Sequence, residues 1–136
     1  MVFVVLLLVA IGVGWVLTSP GSPGNETPTD GNGDIPSDRP VYYYFYSNSC
    51  PACTRMERTT HSNSSVIEIL EANFTFIKVN TVEDKQLTQE YNIYYIPDNI
   101  FTYPDGQIIY RSAGAIDPEM FVNLLNEVAD FFARNG

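Results

Sequence analysis

An apolar run, Val41-Tyr42-Tyr43-Tyr44-Phe45-Tyr46, leads through Ser47-Asn48-Ser49 into Cys50-Pro51-Ala52-Cys53, and these are the only 2 cysteines in the chain. The run is short, β-branched or aromatic, and closed by polar residues, so it reads as a buried strand. Thr54-Arg55-Met56-Glu57-Arg58 follow without Gly or Pro, which predicts a helix starting at the cysteine pair. Pro51 suits the first helical position, where the amide hydrogen it lacks has no intrahelical partner. The Cys50 sulfur then sits at a helix N-terminus, where free N–H groups and the helix dipole favour a thiolate. Two thiols three residues apart on such a turn can close a disulfide with each other. The chemistry this supports is thiol–disulfide exchange.

The 136 residues suffice for one domain of ordinary size, but the N-terminus is different material from the rest. Residues 2–17 carry no charge, and their length lies at the lower edge of a membrane span of about 20 residues. Two readings stay open for residues 1–18, an uncleaved transmembrane anchor and a secretory signal. The missing basic leader and cleavage pattern favour the anchor. Orientation is encoded only faintly, since no Lys or Arg precedes Arg39. An N-terminal anchor followed by acidic residues most simply leaves the remaining chain outside the cytoplasm. Residues 19–40 hold five Pro and four Gly, which predicts a disordered linker reaching about 25 Å. Residues 41–136 are left for the folded domain. The formal charge of −9 argues against nucleic acid or an anionic membrane surface as a direct partner. Asn25, Asn63 and Asn73 begin Asn-x-Ser/Thr sequons, which matter only in a glycosylating compartment.

Further along, residues 61–65 break the first helix and 66–72 resume as a short one. Residues 74–80 read as a second strand, and 81–91 are polar with helical character around Leu87. Residues 100–103 and 107–111 flank Pro104-Asp105-Gly106, a hairpin signal. Asp117 suits an N-cap and Pro118 a first turn, and Phe121, Leu124, Leu125, Val128 and Phe132 follow at helical spacing. The order β-α-(α)-β-α-β-β-α predicts an α/β fold with a mixed sheet and helices on both faces.

Four features in this order resemble the thioredoxin-like superfamily. They are the strand into Cys-x-x-Cys, the strand end Ile77-Lys78-Val79-Asn80, the segment Tyr91-Asn92-Ile93-Tyr94-Tyr95-Ile96-Pro97, and the Pro104-Asp105-Gly106 hairpin followed by Gly114 and a terminal helix. The resemblance covers roughly residues 41–132. It implies a thioredoxin-like three-layer sandwich around a mixed central sheet, in the trimmed β-α-β-α-β-β-α form, here preceded by the N-terminal transmembrane helix. It further implies that Cys50 is the exposed nucleophile and Cys53 the buried resolving thiol, with Pro51 and Ala52 as the intervening motif. Pro97 is implied to be a cis-proline facing the disulfide, and the backbone at Ile96 and Pro97 to bind an extended stretch of substrate. The layout is similar to that of membrane-tethered thioredoxin-like proteins of bacteria and archaea, which act outside the cytoplasm. The implied activity is that of a protein-disulfide oxidoreductase, with protein thiol or disulfide substrates, a membrane redox partner, no cofactor and no metal.

The chain departs from thioredoxin itself in several places. Ser49 and Pro51-Ala52 stand where thioredoxin has an aromatic residue and Gly-Pro, and Asp98-Asn99 follow Pro97 in place of the commoner Thr. Tyr44 replaces a buried acid used for proton transfer at the resolving cysteine. A phenol with a pKa of about 10 is a poor base at neutral pH, so either another group, water or Glu57, relays the proton or the attack of Cys53 is slower. Lys78 aligns with a family lysine near the site, and Tyr94, Tyr95 and Ile96 are candidates to line the substrate groove. His61, the only histidine, reads as a solvent-exposed residue at a helix end. The alternative function is an extracytoplasmic thioredoxin-like copper carrier or assembly factor, since soft thiolates suit Cu(I). Such carriers use a wider cysteine spacing and a distant histidine. An inert disulfide staple is disfavoured, because so small a loop stabilises little through chain entropy.

Overall fold

The computed structural model describes residues 34–136. Its central strand, β1 (Val41–Tyr46), is buried along its whole length except at Tyr46, as its β-branched and aromatic residues require. Helices α1 (Pro51–Thr59) and α2 (Ser64–Asn73) follow, then β2 (Thr75–Asn80) and α3 (Lys85–Glu90). A hairpin of β3 (Asp98–Thr102) and β4 (Ile108–Ala113) leads to the closing helix α4 (Pro118–Asn135). The sheet order is β2-β1-β3-β4. β1 pairs parallel with β2 and antiparallel with β3, and β3 pairs antiparallel with β4, so the sheet is mixed.

Side chains alternate across β1, and the two faces build two cores. Tyr42 and Tyr44 point into a cluster with Met56 of α1, Val66 and Leu70 of α2, Phe101 of β3, and Phe121, Leu125 and Val128 of α4. Val41, Tyr43 and Phe45 point the other way, toward Tyr91, Ile100 and the Leu87 side chain of α3. The result is three layers with the sheet in the middle. Each helix start is marked by its sequence. Pro51 occupies the first turn of α1, the Asn63 side chain accepts from the Ser65 and Val66 amides at α2, and Asp84 Oδ1 accepts from Leu87 N at α3. At α4 Asp117 holds the N-cap position, but its side chain makes no capping bond and Pro118 sets the first turn. The hairpin turns at Pro104-Asp105-Gly106, where Gly106 has φ +93° and Tyr103 N donates to Gln107 O at 2.8 Å. Only glycine adopts such a φ without steric cost.

The anchor expected over residues 1–18 lies outside the described residues, as does the expected linker up to Gly33. Ile35 packs against the core on the Val41, Tyr43 and Phe45 face of β1 and Pro40 is buried, so the folded part begins before Val41. Among the described residues no helix is long and apolar enough to cross a membrane. Of the two sequons within them, Asn63 is engaged in its cap, and the exposed Asn73 donates from Nδ2 to Ile69 O at 3.2 Å.

Candidate active site

Cys50 stands at the N-cap of α1, with φ −99° and ψ 107°, so the chain is still extended where its sulfur emerges. It forms a disulfide with Cys53, the two Cα atoms lying 5.2 Å apart. The Cys53 amide donates to Cys50 Sγ at 3.1 Å, and Thr54 N donates to Cys50 O at 3.1 Å as the helix begins. A thiolate formed at Cys50 would meet that N–H and the positive end of the helix. Cys50 keeps 9% of its surface accessible and Cys53 none. The first cysteine is thus more shielded than an exposed nucleophile implies, while the second is sealed as expected. Pro51 is exposed and Ala52 half-buried against the core on the Tyr42 and Tyr44 face of β1.

The segment before β3 comes back to the same place. Ile96–Pro97 is a cis peptide bond, and Ile96 O lies 3.8 Å from Cys50 Sγ. Pro97 is buried, and its carbonyl accepts from Gly114 N at 2.7 Å. Gly114 has φ +101°, a conformation open to glycine. Tyr94 and Tyr95, just upstream, are 82% and 76% exposed. Cys50, Ile96 and Pro97, separated by more than forty residues in sequence, meet because β1 and β3 are adjacent strands.

Beneath the disulfide the Tyr44 hydroxyl donates to Cys53 O at 3.2 Å. Burial, with Glu57 and Tyr46 nearby, pushes the Tyr44 pKa well above the ordinary phenol value. Tyr44 is therefore a fixed donor and not a base. Glu57 pairs with Lys78 Nζ at 2.6 Å, and that ammonium lies 4.6 Å from the centre of the Tyr46 ring. Lys78 is accordingly tied across β2 to α1, with its charge met by Glu57.

His61 is a correction. Expected to face solvent, it packs edge-on against Tyr44 with ring centres 4.4 Å apart, and also contacts Tyr42, Phe76 and Phe121. The turn after α1 folds back over the sheet, and the exposed position suggested by the neighbouring polar residues is lost. The hydrogen bonds around it show which ring nitrogen carries the proton. Asn99 is fully buried, and its Nδ2 donates to Ser112 O at 3.1 Å and Gly114 O at 3.0 Å. Its oxygen therefore faces Tyr42, whose hydroxyl donates to Asn99 Oδ1 at 2.7 Å. With that single proton committed, His61 Nε2, 3.0 Å from the Tyr42 oxygen, must be the donor. Burial chiefly, then the Lys78 charge, lowers the His61 pKa to about 4 against the opposing effect of Glu57. His61 is neutral at pH 7.

Asp98 was visible in the sequence only as a departure after Pro97, and its partner not at all. It is 1% exposed and meets Arg111 of β4, with Nη2 at 2.5 Å from Oδ2. Arg111 lies opposite Ile100 and Asp98 opposite Ala113, so the two are diagonal neighbours on one face of the hairpin. Only the strand register could have revealed the pair. Among the described residues no group of three or more His, Cys, Asp or Glu side chains is placed to hold a metal ion.

The family model for the thioredoxin-like domain matches residues 35–129. A thioredoxin from Thermus thermophilus is 28% identical, with a TM-score of 0.59 over 66% of this chain and 73% of that one. A thioredoxin-fold protein from Helicobacter pylori has a TM-score of 0.64 at 18% identity, covering 71% of this chain and 72% of its own. The DsbH oxidoreductase has a TM-score of 0.62 at 13% identity, covering 68% and 74%, and at that identity shows the fold alone. No curated protein sequence matches the chain. A family match spanning both cysteines, the cis-proline segment and most of the terminal helix means that this chain belongs to the thioredoxin-like domain family.

Proposed function

We propose that the protein is a thiol–disulfide oxidoreductase that exchanges disulfides with protein substrates through Cys50 and Cys53. The observation that carries this reading is the Cys50–Cys53 disulfide at the start of α1, with the Cys53 amide on Cys50 Sγ and the cis Ile96–Pro97 bond alongside. In the reduced protein the Cys50 thiolate attacks one sulfur of a substrate disulfide. A Cys50–substrate disulfide forms and the other substrate sulfur leaves as a thiolate. Cys53, deprotonated, then attacks Cys50 Sγ, closing the intramolecular disulfide and releasing the second substrate thiol. Two electrons have passed to the substrate, and the reverse sequence oxidises it. Tyr44 holds the Cys53 carbonyl during this cycle without giving or taking a proton. Ile96 and Pro97 border the sulfur at which the substrate arrives.

We further propose that residues 1–18 anchor the chain in a membrane, residues 19–33 form its tether, and the folded part, residues 34–136, works outside the cytoplasm beside a membrane redox partner. The uncharged run at residues 2–17 supports this placement. The experiment is substrate trapping in cells with full-length Cys53→Ser. Mixed disulfides that run as higher bands without reductant, vanish with it and are absent from Cys50→Ser support the mechanism. Traps that form equally with Cys50→Ser, or with neither variant, overturn it. Protease digestion of sealed vesicles tests the placement, because cleavage only from the cytoplasmic side would reverse it.

A further inference from the structure

One side chain from the edge of the sheet fastens both ends of the segment that brings Ile96 to the disulfide. Arg111, on edge strand β4, grips the Asp98 carboxylate with Nε at 3.1 Å and Nη2 at 2.5 Å from Oδ2. The same guanidinium donates from Nη1 to Tyr91 O at 2.8 Å and from Nη2 to Asn92 O at 3.2 Å. Tyr91 and Asn92 open the segment, and Asp98 closes it directly after Pro97. Between these anchors no backbone hydrogen bond among the described residues engages Tyr94, Tyr95 or Ile96. Tyr94 and Tyr95 are exposed, and the Ile96 carbonyl sits 3.8 Å from Cys50 Sγ. Unpaired backbone beside exposed aromatic rings is what an extended polypeptide can lie against.

We infer that Asp98 and Arg111 are a positioning pair for exchange with protein disulfides, a role that rests on the redox reading above. The planar guanidinium fork fixes the 94–96 backbone where a substrate chain can lie along it with its disulfide at Cys50. A small disulfide reaches Cys50 without that backbone and gains nothing from the fork. Lysine can neutralise Asp98, but a single ammonium cannot span the carboxylate and two carbonyls in the same plane. Arg111→Lys therefore keeps the charge and releases the segment.

The test uses the full-length protein, reduced beforehand, and follows its reaction with insulin as the protein disulfide and with dithionitrobenzoate as the small one. For Arg111→Lys the rate constant with insulin falls about tenfold, that with dithionitrobenzoate changes by less than about twofold, and the Cys50–Cys53 reduction potential equals that of the wild type. The double variant Asp98→Asn/Arg111→Met leaves no buried charge unpaired and should show the same split if Arg111→Lys folds poorly. Equal losses on both disulfides, or an unchanged rate with insulin, overturn the positioning role. Failure of the wild-type protein to react with either disulfide is a separate result and overturns the redox reading itself.

Discussion

His61 makes the acid stability of this protein predictable. Its folded pKa of about 4 lies below its unfolded value of 6.5. Above pH 6.5 both states are neutral and the residue contributes no pH dependence. As the pH falls from 6.5 toward 4, the unfolded chain takes a proton that the folded chain refuses, so stability is lost throughout that window. The loss amounts to about 3 kcal/mol by pH 4, since each pH unit separating the folded and unfolded values is worth about 1.4 kcal/mol. His61→Phe isolates this contribution. The ring contacts with Tyr44, Phe76 and Phe121 can persist, while loss of the bond to Tyr42 costs about 1 kcal/mol. At pH 7 the variant should therefore be less stable than the wild type by about 1 kcal/mol, and at pH 4 more stable by about 2 kcal/mol. Urea denaturation of both proteins at intervals from pH 7 to pH 4 measures this directly, and the carboxylates common to both cancel in the difference. Parallel curves that never cross would refute burial as the force that holds His61 neutral.

Two further outcomes follow from the same neighbourhood. Tyr44→Phe removes the hydroxyl that donates to Cys53 O; it should cost about 1 kcal/mol in urea denaturation and leave the pH–rate profile of exchange unchanged from pH 6 to pH 9. Loss of a limb from that profile would make Tyr44 a proton carrier after all. Asn99→Leu removes the acceptor of the Tyr42 O–H and the side-chain donor to the Ser112 and Gly114 carbonyls, and should cost about 3 kcal/mol, with a coupling of about 1 kcal/mol to Tyr42→Phe in a double-mutant cycle. A coupling near zero would mean that the Tyr42–Asn99 bond is not formed in solution.

Local order in this chain is written plainly. The aromatic run of β1, Pro51 at the start of α1, the Pro104-Asp105-Gly106 turn and the apolar stripe of α4 each act through neighbours a few residues away. Propensity, capping and periodicity are enough to read them. The boundaries shifted by one or two residues, as with α2, which runs Ser64–Asn73 and not 66–72, because helix ends are set by caps such as Asn63. The cysteine pair was legible for the same reason, being a local motif at a strand-to-helix turn.

Local chemistry along the chain thus sets the order of the elements, the burial of β1 and the place of Cys50 and Cys53. What surrounds them depends on how distant segments pack together. Whether His61 faced water or Tyr44 depended on how the turn after α1 folds back over the sheet. Whether Asp98 had a partner depended on a hairpin register that brings Arg111 onto its diagonal. Both are contacts between segments far apart in the chain, and their energies come from burial and paired charge. Neither exists until the sheet closes and excludes water, so no run of adjacent residues could have announced them.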